Sequence, residues 1–168
     1  MVVNLLKYSL IFIVSVLLQV LLFDNVLILR VIAPFFYILF ILLLPFYTPR
    51  ALLLFLSFVL GLTIDIFTNT PGVHASACLL TAFIRPGVLQ LISSRETLES
   101  VSAPRVGNMG FQWFVGYTTF LVVIHHLFLF FIEAFTFQGF LITLLRVALS
   151  SVLTVILIVL SQFLIFRK

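Results

Sequence analysis

Long apolar runs recur along the whole chain, and few ionisable side chains interrupt them. From Ala51 to Phe67 the one ionisable group is Asp65. A small soluble core cannot hide runs of that length, and lipid accepts only backbone whose hydrogen bonds are closed within the protein. The runs therefore read as transmembrane helices, because open strands would leave rows of unpaired amides in hydrocarbon. Composition agrees. Of the 168 residues, 64% are hydrophobic and 8% charged, where a soluble domain carries about a quarter charged.

At about 20 residues per crossing, six spans use on the order of 120 residues and leave no room for a separate soluble domain. The expected fold is all-α, a single polytopic membrane domain over 1–168 with six transmembrane helices. The spans read as Tyr8 to Phe23, Val31 to Tyr47, Ala51 to Phe67, Val73 to Ile92, Phe111 to Glu133 and Phe140 to Phe166. The first, preceded by Lys7, has the look of a signal peptide, but no A-x-A arrangement stands near Asp24, so it is read as a retained span. Pro34 and Pro45 fall near the ends of the second, where a missing N–H costs least. Between the third and fourth spans, Thr70 is expected to cap the next helix, Pro71 to suit its first turn and Gly72 to relieve crowding. Ser93 to Gly110 is the long polar connection, and Gln138 and Gly139 mark the last turn.

Cytoplasmic loops collect Lys and Arg. With the N-terminus inside, Lys7, Arg50, Arg95, Arg105, Arg167 and Lys168 all fall on the cytoplasmic side and Arg30 falls outside. That bias places both termini in the cytoplasm. The formal charge of +4 is scattered rather than arranged in a stripe that could follow a phosphate backbone, so nucleic acid is not an expected partner. Cys78 stands alone in an apolar run and reads as a small apolar filler.

Ionisable groups within a span need partners or a purpose, because each costs about 2.5–3.5 kcal/mol near the bilayer centre on insertion scales. The candidates are Asp65, Arg85, His125, His126, Glu133 and Arg146. Asp65 near the outer end of the third span and Arg146 in the outer part of the sixth are expected to pair. Residues three, four or seven apart share a helix face. Ser57, Gly61 and Asp65 then form a small-residue stripe along which a second backbone can approach closely, ending at a carboxylate. The fourth span aligns His74, Cys78, Thr81 and Arg85; the fifth Gln112, Thr119, His126 and Glu133; the sixth Arg146, Ser150, Thr154 and Ser161. The first offers Tyr8, Ser15 and Gln19. The second has almost no polar stripe and reads as the most lipid-exposed. A polar network or a small-ligand cavity inside the other five would both give this pattern.

No metal-ligand spacing, nucleophile setting or phosphate loop is present, so neither catalysis nor a cofactor is expected. His125 and His126, being adjacent, point about 100° apart.

The stretch from Gly61 to Pro86, GLTIDIFTNTPGVHASACLLTAFIRP, resembles the rod-shape-determining MreD family. The resemblance rests on Gly61 and Asp65, on Pro71, Gly72 and His74 after the turn, on the small residues Ala75 and Ala77, and on Arg85 with Pro86. Pro34 and the segment Pro45 to Arg50 look similar too, so the likeness covers the region from Pro34 to Pro86. It implies a non-enzymatic scaffold or regulatory subunit in the bacterial inner membrane. The implied partners are MreC, the RodA glycosyltransferase with its penicillin-binding transpeptidase and, indirectly, MreB. That family is also similar in fold to the solute-binding S-components of energy-coupling-factor transporters, so a solute-binding subunit is the alternative. A third reading, an intramembrane enzyme acting on lipid, needs His125, His126, Glu133 and Asp65 to converge.

Overall fold

The computed structural model describes residues 2–24, 32–135 and 139–165. Arg30, Gln138, Arg167 and Lys168, on which part of the orientation and the last turn were read, lie outside them. The described chain is helical. Helix α1 (Val2–Leu18) runs into a wider turn, Gln19–Phe23, in which the Asp24 N–H reaches the Gln19 carbonyl at 2.8 Å. Then follow α2 (Ile38–Leu43), α3 (Arg50–Thr68), α4 (Val73–Ile92), α5 (Arg95–Ser100), α6 (Val106–Met109), α7 (Phe111–Ala134) and α8 (Phe140–Ile165).

Five helical stretches are long and apolar enough to cross a membrane: Leu6–Phe23, Arg50–Thr68, Val73–Ile92, Phe111–Ala134 and Phe140–Leu164. These correspond to five of the six expected spans. The second, Val31 to Tyr47, does not form a membrane-length helix; its helical part is the six residues of α2. The prolines explain why. A proline disfavours helical backbone in the residue before it, and Leu44, preceding Pro45, leaves the helix with ψ 143°. Upstream, residues 33–35 carry no helix, and only a turn at Phe36 and Tyr37 leads into α2.

Nor does this segment face lipid, as its lack of polar side chains had suggested. Every residue from Phe35 to Leu44 is buried. The segment lies within the bundle and runs back along α1: its start is tied to Gln19, Phe40 meets Phe12 edge-on at 5.2 Å, and Phe46 N–H donates to Ser102 O at 3.3 Å. Around it, α3 packs on α4, α4 on α7 and α7 on α8. Trp113 at the start of α7 donates to Ser93 Oγ (2.9 Å) at the end of α4, and Phe111 meets Phe163 near the end of α8. Both helix pairs are therefore antiparallel.

The tightest approach is between α3 and α4. A Cβ at Gly61 would lie 2.5 Å from the Ala75 Cα and the His74 carbonyl oxygen. Ser57 and Gly61 are buried on this face of α3, with Ala75 opposite Gly61. The outward faces are apolar: Phe55, Phe58 and Ile66 on α3, and Leu141, Ile142 and Leu145 on α8, are exposed. Between Ser93 and Gly110 the polar connection folds into α5, capped by Ser94 accepting from Thr97 N–H at 3.2 Å, and α6.

Candidate functional site: a broken segment inside the bundle

Non-helical backbone at membrane depth survives only where other protein groups satisfy it. All three backbone N–H groups of segment 33–36 and the Pro34 carbonyl are satisfied by side chains of neighbouring helices. Ala33 N–H donates to Ser150 Oγ (3.1 Å), Phe35 N–H to Thr154 Oγ1 (3.1 Å) and Phe36 N–H to Gln19 Oε1 (2.8 Å), while Gln19 Nε2 donates to Pro34 O (3.1 Å) and Asp24 Oδ1 (2.7 Å). The spacing has a simple origin. Two residues of extended chain advance about 6.6 Å, and one turn of helix from residue 150 to 154 rises about 6 Å. A Ser and a Thr four apart on α8 can thus serve alternate amides of an extended segment.

Below this, the Phe35 ring is surrounded by His74, His125, His126 and Phe130 at centroid distances of 5.4, 6.1, 5.2 and 5.6 Å. The Tyr37 hydroxyl bridges His74 Nδ1 (2.8 Å) and His125 Nε2 (3.1 Å). For His126 the hydrogen-bond pattern assigns the protons. His126 Nδ1 lies 2.8 Å from the Val122 carbonyl and must donate to it, so its Nε2 accepts from the Thr154 hydroxyl at 3.3 Å. That fixes a directed chain from Phe35 N–H through Thr154 and His126 to Val122. His125 Nδ1 is buried without a partner among the described residues; with Tyr37 donating to His74 and His125 Nε2–H donating to Tyr37, the orphan is a bare acceptor, less costly than an orphan N–H.

At the far end, the last carbonyls of α2 would be unpaired. Tyr117 O–H donates to Leu42 O (3.1 Å), Arg85 Nη2 donates to Leu44 O, and Arg85 Nε donates to Tyr117 Oη at 2.8 Å. Arg85 is 1% exposed, and its charge suits a helix C-terminus. His74, Cys78, Thr81 and Arg85 are all buried on the face of α4, as their spacing requires.

Asp65 does not pair with Arg146. Its Oδ1 accepts from Thr70 Oγ1 (3.0 Å) and His74 N–H (2.9 Å), and its Oδ2 from Gly72 N–H (3.1 Å) and Ala75 N–H (2.9 Å). One carboxylate thereby caps the first turn of α4 from the neighbouring helix, where negative charge is favoured. Thr70 is a donor in this arrangement, not the cap. Pro71 is exposed in the turn before the helix, and Gly72 is the residue preceding the first turn at φ 88°. A Cβ there would meet nothing within 4 Å, so its backbone conformation, not crowding, requires glycine. Arg146 instead lies 3.4 Å from Glu133 and 4.4 Å over the Phe130 ring. The carboxylates are thus committed elsewhere, and His125, His126, Glu133 and Asp65 do not converge as the lipid-enzyme reading requires. Among the described residues no three of His, Cys, Asp and Glu are placed to hold a metal ion.

Sequence reasoning singled out Gln19, Ser150, Thr154 and His126 as polar stripe residues but missed Tyr37 and Tyr117, whose hydroxyls tie the segment to α4 and α7. The available signal was a tyrosine between two prolines in an apolar run. On α7 the expected stripe is displaced: Gln112 and Thr119 are exposed, and Thr118, His125 and His126 are the buried polar residues. At the end of the bundle where α3 turns into α4, a cleft of about 430 Å³ is lined by Asp24, His74, Glu133 and Arg146 among others, and His126 does not line it. Ser57 Oγ, on the Gly61 face of α3, is buried without a hydrogen-bond partner among the described residues, and Pro86 sits inside α4 next to Arg85. No family model, curated protein or solved structure matches this chain.

Proposed function

We propose that this chain is a non-enzymatic scaffold or regulatory subunit of the bacterial cell-wall elongation (rod-shape) complex, resident in the inner membrane. The observation that carries the reading is the plugged interior: Phe35 to Leu44 fill the space between the helices, and Gln19, His74, Arg85, Tyr117, His125 and Thr154 are engaged with that segment. What such a molecule offers a partner is its outer helix faces and its short polar connection. The resemblance of Gly61 to Pro86 to the MreD family supplies the assembly. On this reading the segment from Ile32 to Pro49 makes a sixth crossing, both termini are cytoplasmic, MreC and RodA with its transpeptidase bind in the membrane, and MreB is engaged indirectly. The test is a mild-detergent pull-down of the tagged protein from native membranes with quantitative mass spectrometry. Co-enrichment of MreC-like and wall-synthesis proteins is the expected result; their absence, with cell shape unchanged on depletion, overturns it.

The second reading, a solute-binding subunit of an energy-coupling-factor-type transporter, is favoured by the cleft at the α3–α4 turn, where His74 and the Glu133–Arg146 pair border about 430 Å³. It predicts that an ATPase pair and a coupling membrane subunit co-purify instead.

A further inference from the structure

Arg85 is the most deeply buried charge among the described residues, and no carboxylate of theirs lies in salt-bridge range of it. Its Nε and Nη2 are spent on a neutral hydroxyl and a carbonyl. A guanidinium withdrawn from water without a counter-ion is costly, and a negative charge brought to it is correspondingly stabilising. Arg85 lies in the wall of a cleft of about 1080 Å³ at the arginine-rich end of the bundle, which Arg50, Gln90, Ser93 and Arg95 also line. Its acidic residue, Glu99, is paired with Arg95 at 3.5 Å, and both side chains are highly exposed. The cleft also receives the N-terminus of the 19-residue α3. Pro49 precedes that helix and offers no side-chain cap, so the first amides and the positive end of the dipole stand open.

Tyr47, Thr48 and Pro49 have a second neighbour. They also line an apolar furrow of about 740 Å³, bordered by Phe12 and Ile13 of α1 and by Leu52 and Leu56 of α3, with Phe40 of the broken segment at its base. The furrow exists because residues 34–45 have withdrawn into the core and do not stand as a full helix between α1 and α3. A basic cleft and an apolar furrow sharing one three-residue wall match an amphipathic ligand. We propose that this end of the molecule binds a phosphate-bearing lipid, its headgroup over Arg85 and Arg50 and an acyl chain along the furrow. The site stands on this geometry alone and does not depend on the partners of the protein.

The test uses the full-length protein in mild detergent, with bound lipid read by native mass spectrometry during titration with phosphatidylglycerol, phosphatidylcholine or inorganic phosphate. Phosphatidylglycerol is expected to bind in preference to phosphatidylcholine. Arg50→Gln, at an exposed position that leaves the core intact, should weaken phosphatidylglycerol about fivefold, the effect of one basic side chain near an anionic lipid. Leu56→Trp should fill the furrow and weaken lipid binding comparably. Equal retention of both lipids by the wild type and both variants overturns the site. Displacement of phosphatidylglycerol by millimolar inorganic phosphate, with no effect of Leu56→Trp, overturns the lipid assignment in favour of a free phosphate.

Discussion

Asp65 is the residue on which the α3–α4 turn depends, because its two oxygens collect four hydrogen bonds from Thr70, Gly72, His74 and Ala75. Asp65→Ala leaves the first amides of α4 unpaired and should cost about 2 kcal/mol, read as a lowered thermal midpoint in detergent. Since Arg146 faces Glu133 instead, Asp65→Ala and Arg146→Ala should be additive to within about 0.5 kcal/mol; a coupling well above that would restore the direct pair. Gly61 answers to contact distance instead of hydrogen bonding. A methyl group placed there would lie 2.5 Å from backbone atoms of His74 and Ala75, so Gly61→Ala should already destabilise the bundle by about 1–3 kcal/mol. Gly116→Ala on α7, where a Cβ meets nothing within 4 Å, should be neutral or mildly stabilising. Equal midpoints for the two alanine variants would contradict the close seam. Asp65 and Gly61 were legible as the end and the middle of one helix stripe; the partner of Asp65 was not. Two opposite charges at similar depth suggested each other, whereas three of the four competing hydrogen-bond donors were backbone amides, which nearly every residue carries and no composition displays.

At the scale of elements, the segment from Ala33 to Pro45 behaves as a plug held by its backbone polar groups and by the Tyr37 hydroxyl. Gln19 holds both a donor and an acceptor of that backbone. Gln19→Leu keeps the volume and removes both partners, leaving a buried N–H and C=O unpaired at a cost of about 1–3 kcal/mol. The midpoint should fall, and the Phe36 amide should lose hydrogen-exchange protection while α3 and α4 amides keep theirs; unaltered protection would mean the side chain does not hold the segment. The five long helices were readable from apolar run length, with ends agreeing closely for α3, α4 and α7. The broken segment was not. Its apolar side chains looked like a lipid-facing surface, and the groups that draw it inward stand up to 119 residues away in sequence. Pro34 and Pro45 were recognised, but were placed at the ends of a helix, where they cost least, instead of being given the weight to replace it.

For the whole molecule, the plug lies along α1 in the opposite direction, with α4 and α7, and α7 and α8, antiparallel, and on the proposed six-crossing reading the chain passes through the membrane an even number of times. Reporter fusions at the N- and C-termini should therefore signal from the same side, the cytoplasmic one if the arginine-rich end carrying Arg50 and Arg95 obeys the charge bias of loops; opposite reports would show that the plug is a re-entrant hairpin. By itself the sequence determined that the chain is an all-helical membrane protein, where its long helices lie and, on α3 and α4, which face carries the buried polar groups, because run length and 3.6-residue periodicity are local properties. Only the tertiary structure decided which apolar segment goes inside and which charge meets which amide. Those outcomes depend on hydrogen bonds closed between distant helices, and in hydrocarbon an unclosed backbone group outweighs any preference of the side chains beside it.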